Sequence, residues 1–273
     1  MPPLRLVVGL LSLWLTACGV QYDLRPTFAA SRTYEETTEI RIETTGANVG
    51  PRAEHLRWVV ERTFLHGGRY GQAPLAWLER VSRVVVGEQG RRIMHWDSGS
   101  GLPPPEEYAA YAALCSLNAE IQVTPQGEVT VAGMHFRTDA MERSGWNESV
   151  LAMVKRSVDR DRLARAAQDF VRRVPPRPVR MNETWARDWA LLSIGARWTW
   201  QLIAVSADTA RFRIAGAVPS SVGLEVRRAT GEAEVELASG MIRKLQLGVT
   251  IRQVLGDVVL EHKGSLSMTA RLR

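Results

Sequence analysis

Polar and apolar residues alternate through positions 34–45 (TYEETTEIRIET), and the Thr and Ile content fits a β-strand. A polar Gly/Asn/Pro break at Gly46 to Pro51 closes it. Residues 55–66 (HLRWVVERTFLH) and 77–87 (WLERVSRVVVG) carry short β-rich cores and are expected to pair across the loop His66 to Pro74. Residues 119–123 (AEIQV) and 128–132 (EVTVA) flank Thr124-Pro125-Gln126-Gly127 and read as a hairpin. From Trp185 onward the text is β again: 196–205, 209–214, 222–228, 231–238, 241–249 and 256–270 are strand-length runs. Turns at Ala207-Asp208, Ala229-Thr230 and Ser239-Gly240 would make them an antiparallel meander.

Between these halves the period lengthens. Val150, Leu151, Val154, Val158, Leu163, Ala166, Ala167, Phe170 and Val171 recur at helical spacing, which predicts one long helix from about Glu148 to Arg173, with Asn147 as its N-cap. Pro175-Pro176 must end it. A shorter helix is expected after the prolines at 103–105, running from Glu106-Glu107 to Leu117. Most of the strands have one apolar face, which needs a cover, and the long helix is the best candidate. The expected fold is therefore α+β: a curved, half-barrel-like antiparallel meander packed on one long and one shorter helix. Residues 33–273 would form this single domain.

The N-terminus carries the most specific signal. One basic residue, Arg5, precedes an apolar run from Leu6 to Leu15, too short for a helix across a bilayer core of roughly 30 Å. It ends in Leu15-Thr16-Ala17-Cys18-Gly19, which resembles the lipobox of bacterial lipoprotein signal peptides. That resemblance implies cleavage after Ala17, acylation of the Cys18 thiol (palmitate or a similar chain), and a lipidated tether over 18–32. Several acyl chains on one cysteine make a stable membrane anchor. Gly19, rather than the Asp of the inner-membrane retention signal, implies an outer-membrane location facing the periplasm. Cys115 then has no intramolecular partner, and its Ala-rich surroundings read as a buried, inert thiol.

The composition, 45% apolar and 23% charged, excludes a disordered chain, a collagen-like repeat and a polytopic membrane protein. Two cysteines exclude a disulfide scaffold. The formal charge of +6 raises nucleic acid as a partner, but the basic residues are scattered. The densest group, Lys155 to Arg173, is interrupted by Asp159, Asp161 and Asp169, the pattern of a solvated face, so no nucleic-acid partner is expected.

Catalytic signatures are missing: no HExxH, CxxC, GxSxG, SxxK, GxGxxG or Walker loop occurs. The five histidines are isolated and no metal-ligand spacing is present, so neither cofactor nor metal is expected. His95, Asp97 and Ser98 form the nearest approach to an acid–base–nucleophile set, and a hydrolase built on them is the competing reading. Trp185, Trp189, Trp198 and Trp200 cluster within sixteen positions. They either fill core or line a pocket for an apolar ligand.

The run Val174-Pro175-Pro176-Arg177-Pro178-Val179-Arg180-Met181-Asn182-Glu183-Thr184-Trp185 is similar to the P-x-x-P-V-x-x-G-[DE]-x-W motif of an uncharacterised family of bacterial envelope lipoproteins, and Glu236 to Ile242 resembles that family's [DE]-x-x-x-G-x-[IV] hairpin. Asn182 stands where Gly is usual, a replacement compatible with a left-handed turn. The resemblance implies fold and location, not catalysis. At the level of fold alone, a curved sheet holding a helix is similar to lipoprotein carriers and lipid-binding envelope proteins. The expected protein is a non-enzymatic envelope lipoprotein that binds an apolar ligand between sheet and helix or an envelope protein partner, or is a structural subunit of an envelope assembly.

Overall fold

The computed structural model describes residues 20–47, 49–89, 93–137, 146–172, 175, 177–191, 194–217 and 224–273. Residues 1–17, read above as a signal peptide, and Cys18 lie outside the described residues. One large antiparallel sheet dominates. Its first half contains β3 (Thr33–Gly46), β4 (Val49–His66), β6 (Leu75–Gln89), β7 (Ile93–Asp97), β8 (Leu117–Val123) and β9 (Val129–Phe136). Its second half contains β11 (Thr184–Leu191), β12 (Ile194–Val205), β13 (Thr209–Ala217), β14 (Leu224–Glu236), β15 (Ile242–Leu255) and β16 (Val258–Leu272). The strand order is β11-β12-β13-β14-β15-β16-β3-β4-β6-β8-β9, with β7 beside β6. Two meanders thus join where the last strand pairs with the third, Leu272 opposite Tyr34 through Leu260 opposite Gly46.

The α+β expectation is overturned: the fold is mostly β, and no long helix is present among the described residues. The predicted helix is two short ones, α2 (Glu148–Arg156) and α3 (Arg160–Arg172), after α1 (Ala109–Cys115). The reason lies in the spacing. Val154 and Val158 continue one helical face, but Leu163 follows at five residues, so an unbroken helix would turn Asp161 and Arg165 toward the sheet. Ser157 ends α2, its hydroxyl donating to the Met153 carbonyl at 2.9 Å. Asn147 caps α2 as expected, accepting from the Val150 N–H at 3.0 Å.

Leu224–Glu236 form one strand, not two with a turn at Ala229-Thr230. Both residues pair with β15 inside the continuous strand β14. Gly231 makes this possible, because a Cβ there would collide with the carbonyl oxygen of Gln246 on β15. Asn182 adopts a left-handed conformation, φ 64°.

Residues 21–32, expected as a tether, are folded onto the sheet. β1 (Gln21–Tyr22) pairs with β10 (Val179–Arg180), and β2 (Thr27–Phe28) with β5 (Gly68–Arg69). Leu24 is wholly buried and Phe28 nearly so. Gly240, at φ 67°, lets this segment approach, since a Cβ there would lie 2.6 Å from the Leu24 carbonyl oxygen. Gly240→Ala is therefore expected to cost about 1–2 kcal/mol for the left-handed backbone alone, plus the displacement of the segment. A lowered melting temperature with faster proteolysis before Arg32 would report both.

The apolar residues share one face. Along β3 this face carries Tyr34, Glu36, Thr38, Ile40, Ile42 and Thr44, and the register extends it to Phe64, Trp58 and Leu56 on β4 and to Leu245, Leu247, Val249 and Ile251 on β15. Eleven hydrogen-bonded neighbours would leave that face in water if flat, yet most of it is buried, so the sheet curls inward around it. The opposite face is polar and carries ion pairs such as Arg271–Glu35 and Arg41–Glu39.

Candidate functional site on the inner face

The β11–β16 half is filled by its own side chains. Trp198 and Trp200 are 1% and 2% exposed, and Leu202, Phe212, Ile214, Val235 and Leu245 are wholly buried around them. Trp185 stacks on Trp200 with ring centroids 5.7 Å apart and meets Phe212 edge-on at 5.1 Å. Trp185, Trp198 and Trp200 are thus brought together on two neighbouring strands. The Trp189 side chain lies outside the described residues. The Trp185 indole N–H is buried without an acceptor, a deficit of about 1–3 kcal/mol that a water or a ligand carbonyl would relieve.

At the β3–β4–β6 end the inner face holds a charged cluster. Arg62 donates from Nε to Glu79 at 2.8 Å and from Nη1 to Glu36 at 3.3 Å. The Trp77 indole N–H donates to Glu79 at 3.3 Å, and the Thr38 hydroxyl to Glu36 at 3.4 Å. The Phe170 ring of α3 lies 4.0 Å over the guanidinium. Arg62, Glu36 and Glu79 are only 3%, 3% and 6% exposed. Burial opposes the charge on Arg62, but the two carboxylates outweigh it and raise its pKa above the ordinary arginine value. Sequence reading missed this cluster, although a signal existed. All three residues stand in the apolar phase of their strands, Arg62 between Val60 and Phe64, Glu79 between Trp77 and Val81.

The helices close most of the remaining inner face. Leu163, Ala167, Phe170 and Val171 of α3 pack with Phe28, Phe64 and Trp77, while Val154 of α2 and Ala112 of α1 pack with Val60, Val84 and Trp96. All of these are 6% exposed or less. Between this covered region and the tryptophan-filled half, burial relaxes. Along β3, Glu36 and Thr38 are buried, whereas Ile40, Ile42 and Thr44 are only half-buried. Leu56, opposite Ile40, and Trp58, opposite Thr38, are also half-buried, and Gly264 opposite Ile42 adds no side chain. These residues form an apolar stripe. It leads to a polar rim, where the His262 ring pairs with the Thr44 hydroxyl at 2.9 Å and the Gln253 side chain at 3.1 Å.

The His95/Asp97/Ser98 set is not assembled for catalysis. The Arg83 guanidinium grips Asp97 at 2.6 Å and holds its carboxyl below the usual range, helped by the Gly99 N–H. The Ser98 hydroxyl accepts from the Val84 N–H at 2.9 Å, and no hydrogen bond joins His95 to either residue. Burial pushes the Cys115 thiol up to about 11, which keeps it protonated and poorly nucleophilic. Among the described residues no group of three His, Cys, Asp or Glu could hold a metal ion, and no helix is long and apolar enough to cross a membrane.

No family model matches the chain, and no curated protein matches it. The motif resemblance therefore rests on its quoted residues alone.

Proposed function

We propose that the chain is a bacterial envelope lipoprotein, anchored through an acylated Cys18, that binds the hydrocarbon chain of an amphiphile along the stripe Ile40–Ile42–Leu56–Trp58 without catalysing a reaction on it. The observation that carries this reading is the half-buried stripe between two packed regions. On either side of it the described residues are closed by side chains or helices; here apolar surface is left partly uncovered and ends in polar groups, with Glu54 opposite Ile42 among them. An acyl chain laid on Ile40, Leu56 and Trp58 would place its polar head beside Thr44, His262 and Gln253. The unassembled state of His95, Asp97 and Ser98 favours binding over hydrolysis. The tryptophan cluster is the less suitable place for a ligand, since Trp198 and Trp200 occupy the space themselves.

Titration with a fluorescent fatty acid tests the binding, and labelled palmitate tests the anchor. Trp58→Glu puts a charge into the stripe and is expected to weaken binding at least ten-fold, about 1.4 kcal/mol, with a lowered melting temperature as well, because Trp58 also packs against the Val60–Val84 cluster. Cys18→Ser should abolish palmitate incorporation and leave binding intact. Equal affinity in Trp58→Glu and the parent would refute the stripe, and label retained in Cys18→Ser would refute the anchor.

A further inference from the structure

The lipidated reading, on which this inference rests, leaves very little chain between lipid and fold. Val20 already leads into β1, whose Gln21 pairs with Arg180. Only Gly19 separates it from Cys18, so the acylated residue stands within about 7 Å of Val20. That is comparable to one headgroup layer of a bilayer, whose polar regions add roughly 10–15 Å to a 30 Å core. A folded body on so short a leash must rest its attached end on the lipid.

That end has a fitting surface. One step beyond the Gln21–Arg180 pair, Val20 and Met181 come next on their strands, and they are 68% and 41% exposed. Arg180 is exposed beside them, as is Arg177, which also pairs with Glu183 at 2.5 Å. Apolar side chains flanked by guanidinium groups suit an interface of acyl chains and anionic phosphates. The same end carries the β14–β15 turn, where Ser239 accepts from the Thr27 N–H. From there β15 runs fourteen residues to Leu255, roughly 43 Å in extended geometry. Val254, Leu255 and Val259 at that far hairpin are 39%, 55% and 38% exposed. The apolar stripe also opens toward that far end, as burial along β3 falls from Thr38 to Thr44.

We infer that the molecule stands on end. Val20, Arg177, Arg180 and Met181 sit on the headgroups of the leaflet that holds the Cys18 acyl chains. The β15–β16 hairpin and the mouth of the stripe stand at the opposite end, up to about 40 Å from that leaflet. The mouth therefore takes up its amphiphile from the aqueous side and not from the bilayer beneath.

The test uses the full chain expressed in bacteria with labelled palmitate and reconstituted into vesicles of phosphatidylethanolamine and phosphatidylglycerol. An environment-sensitive fluorophore is placed on Met181→Cys or on Leu255→Cys. The half-buried Cys115 is replaced by alanine in both variants, so that the introduced cysteine alone takes the label. With lipid-borne quenchers, emission at position 181 should be blue-shifted and quenched several-fold more than at 255. Exchanging both Arg177 and Arg180 for Glu should reduce that quenching. Palmitate incorporation with equal quenching at the two positions, or stronger quenching at 255, overturns the orientation and spares the anchor. Absence of palmitate overturns the anchor itself and the orientation with it.

Discussion

Replacing Arg62 by methionine is expected to lower the unfolding free energy by about 3–5 kcal/mol, because it removes a buried guanidinium that hydrogen-bonds two buried carboxylates beneath α3. Glu36 and Glu79 are 3% and 6% exposed, and both accept from this guanidinium. The loss of the Phe170 face contact adds to the effect, since α3 rests on Arg62 through that ring. The three charges together need not stabilise the fold. Desolvating ions is costly, and apolar replacements of similar volume often do as well or better. The combined variant Arg62→Met, Glu36→Leu, Glu79→Leu should therefore recover most of what the single change loses. Urea unfolding of both variants decides the matter. A single variant within 1 kcal/mol of the parent, or a combined variant worse than the single one, contradicts a buried and mutually compensated cluster.

Trp200→Ala is expected to cost a comparable amount, about 3–5 kcal/mol, and to leave amphiphile binding almost unchanged. The side chain is 2% exposed and stacks on Trp185, so its removal opens a cavity in the β11–β16 half that neighbouring strands cannot close. Trp58→Glu on the stripe predicts a different pattern, with affinity lost and a smaller loss of stability, since Trp58 is only half-buried. Measured together, the two substitutions separate a residue that fills the core from one that faces ligand. If Trp200→Ala abolished binding at unchanged stability, the tryptophan cluster and not the stripe would be the site.

Local signals carried much of the strand map. The alternation in 34–45, the paired runs 55–66 and 77–87, and the hairpin at Thr124 to Gly127 all reappear in the sheet. What the chain text did not disclose depends on distant contacts. The turn expected at Ala229-Thr230 gives way to one continuous strand, because Gly231 next to it lets the Gln246 backbone press close. The five-residue step from Val158 to Leu163 was legible as a slip in helical phase, yet the apolar count on either side concealed it. Residues 21–32 look like a polar tether because only Leu24 and Phe28 are strongly apolar, and these two anchor the segment in the core. Glu36, Arg62 and Glu79 lie far apart in sequence, and only the register of β3, β4 and β6 makes them neighbours. The stripe is equally a product of register, since Ile40 and Leu56 meet only through the β3–β4 pairing.

Native mass spectrometry of the protein taken from its membrane fraction, with detergent exchanged for one that leaves no adduct, tests the binding of a hydrocarbon chain most directly. The account predicts a one-to-one noncovalent adduct of amphiphile mass in the parent protein, lost in Trp58→Glu and kept in Trp200→Ala. Bare protein mass in the parent, under conditions where added fatty acid also fails to attach, would contradict it.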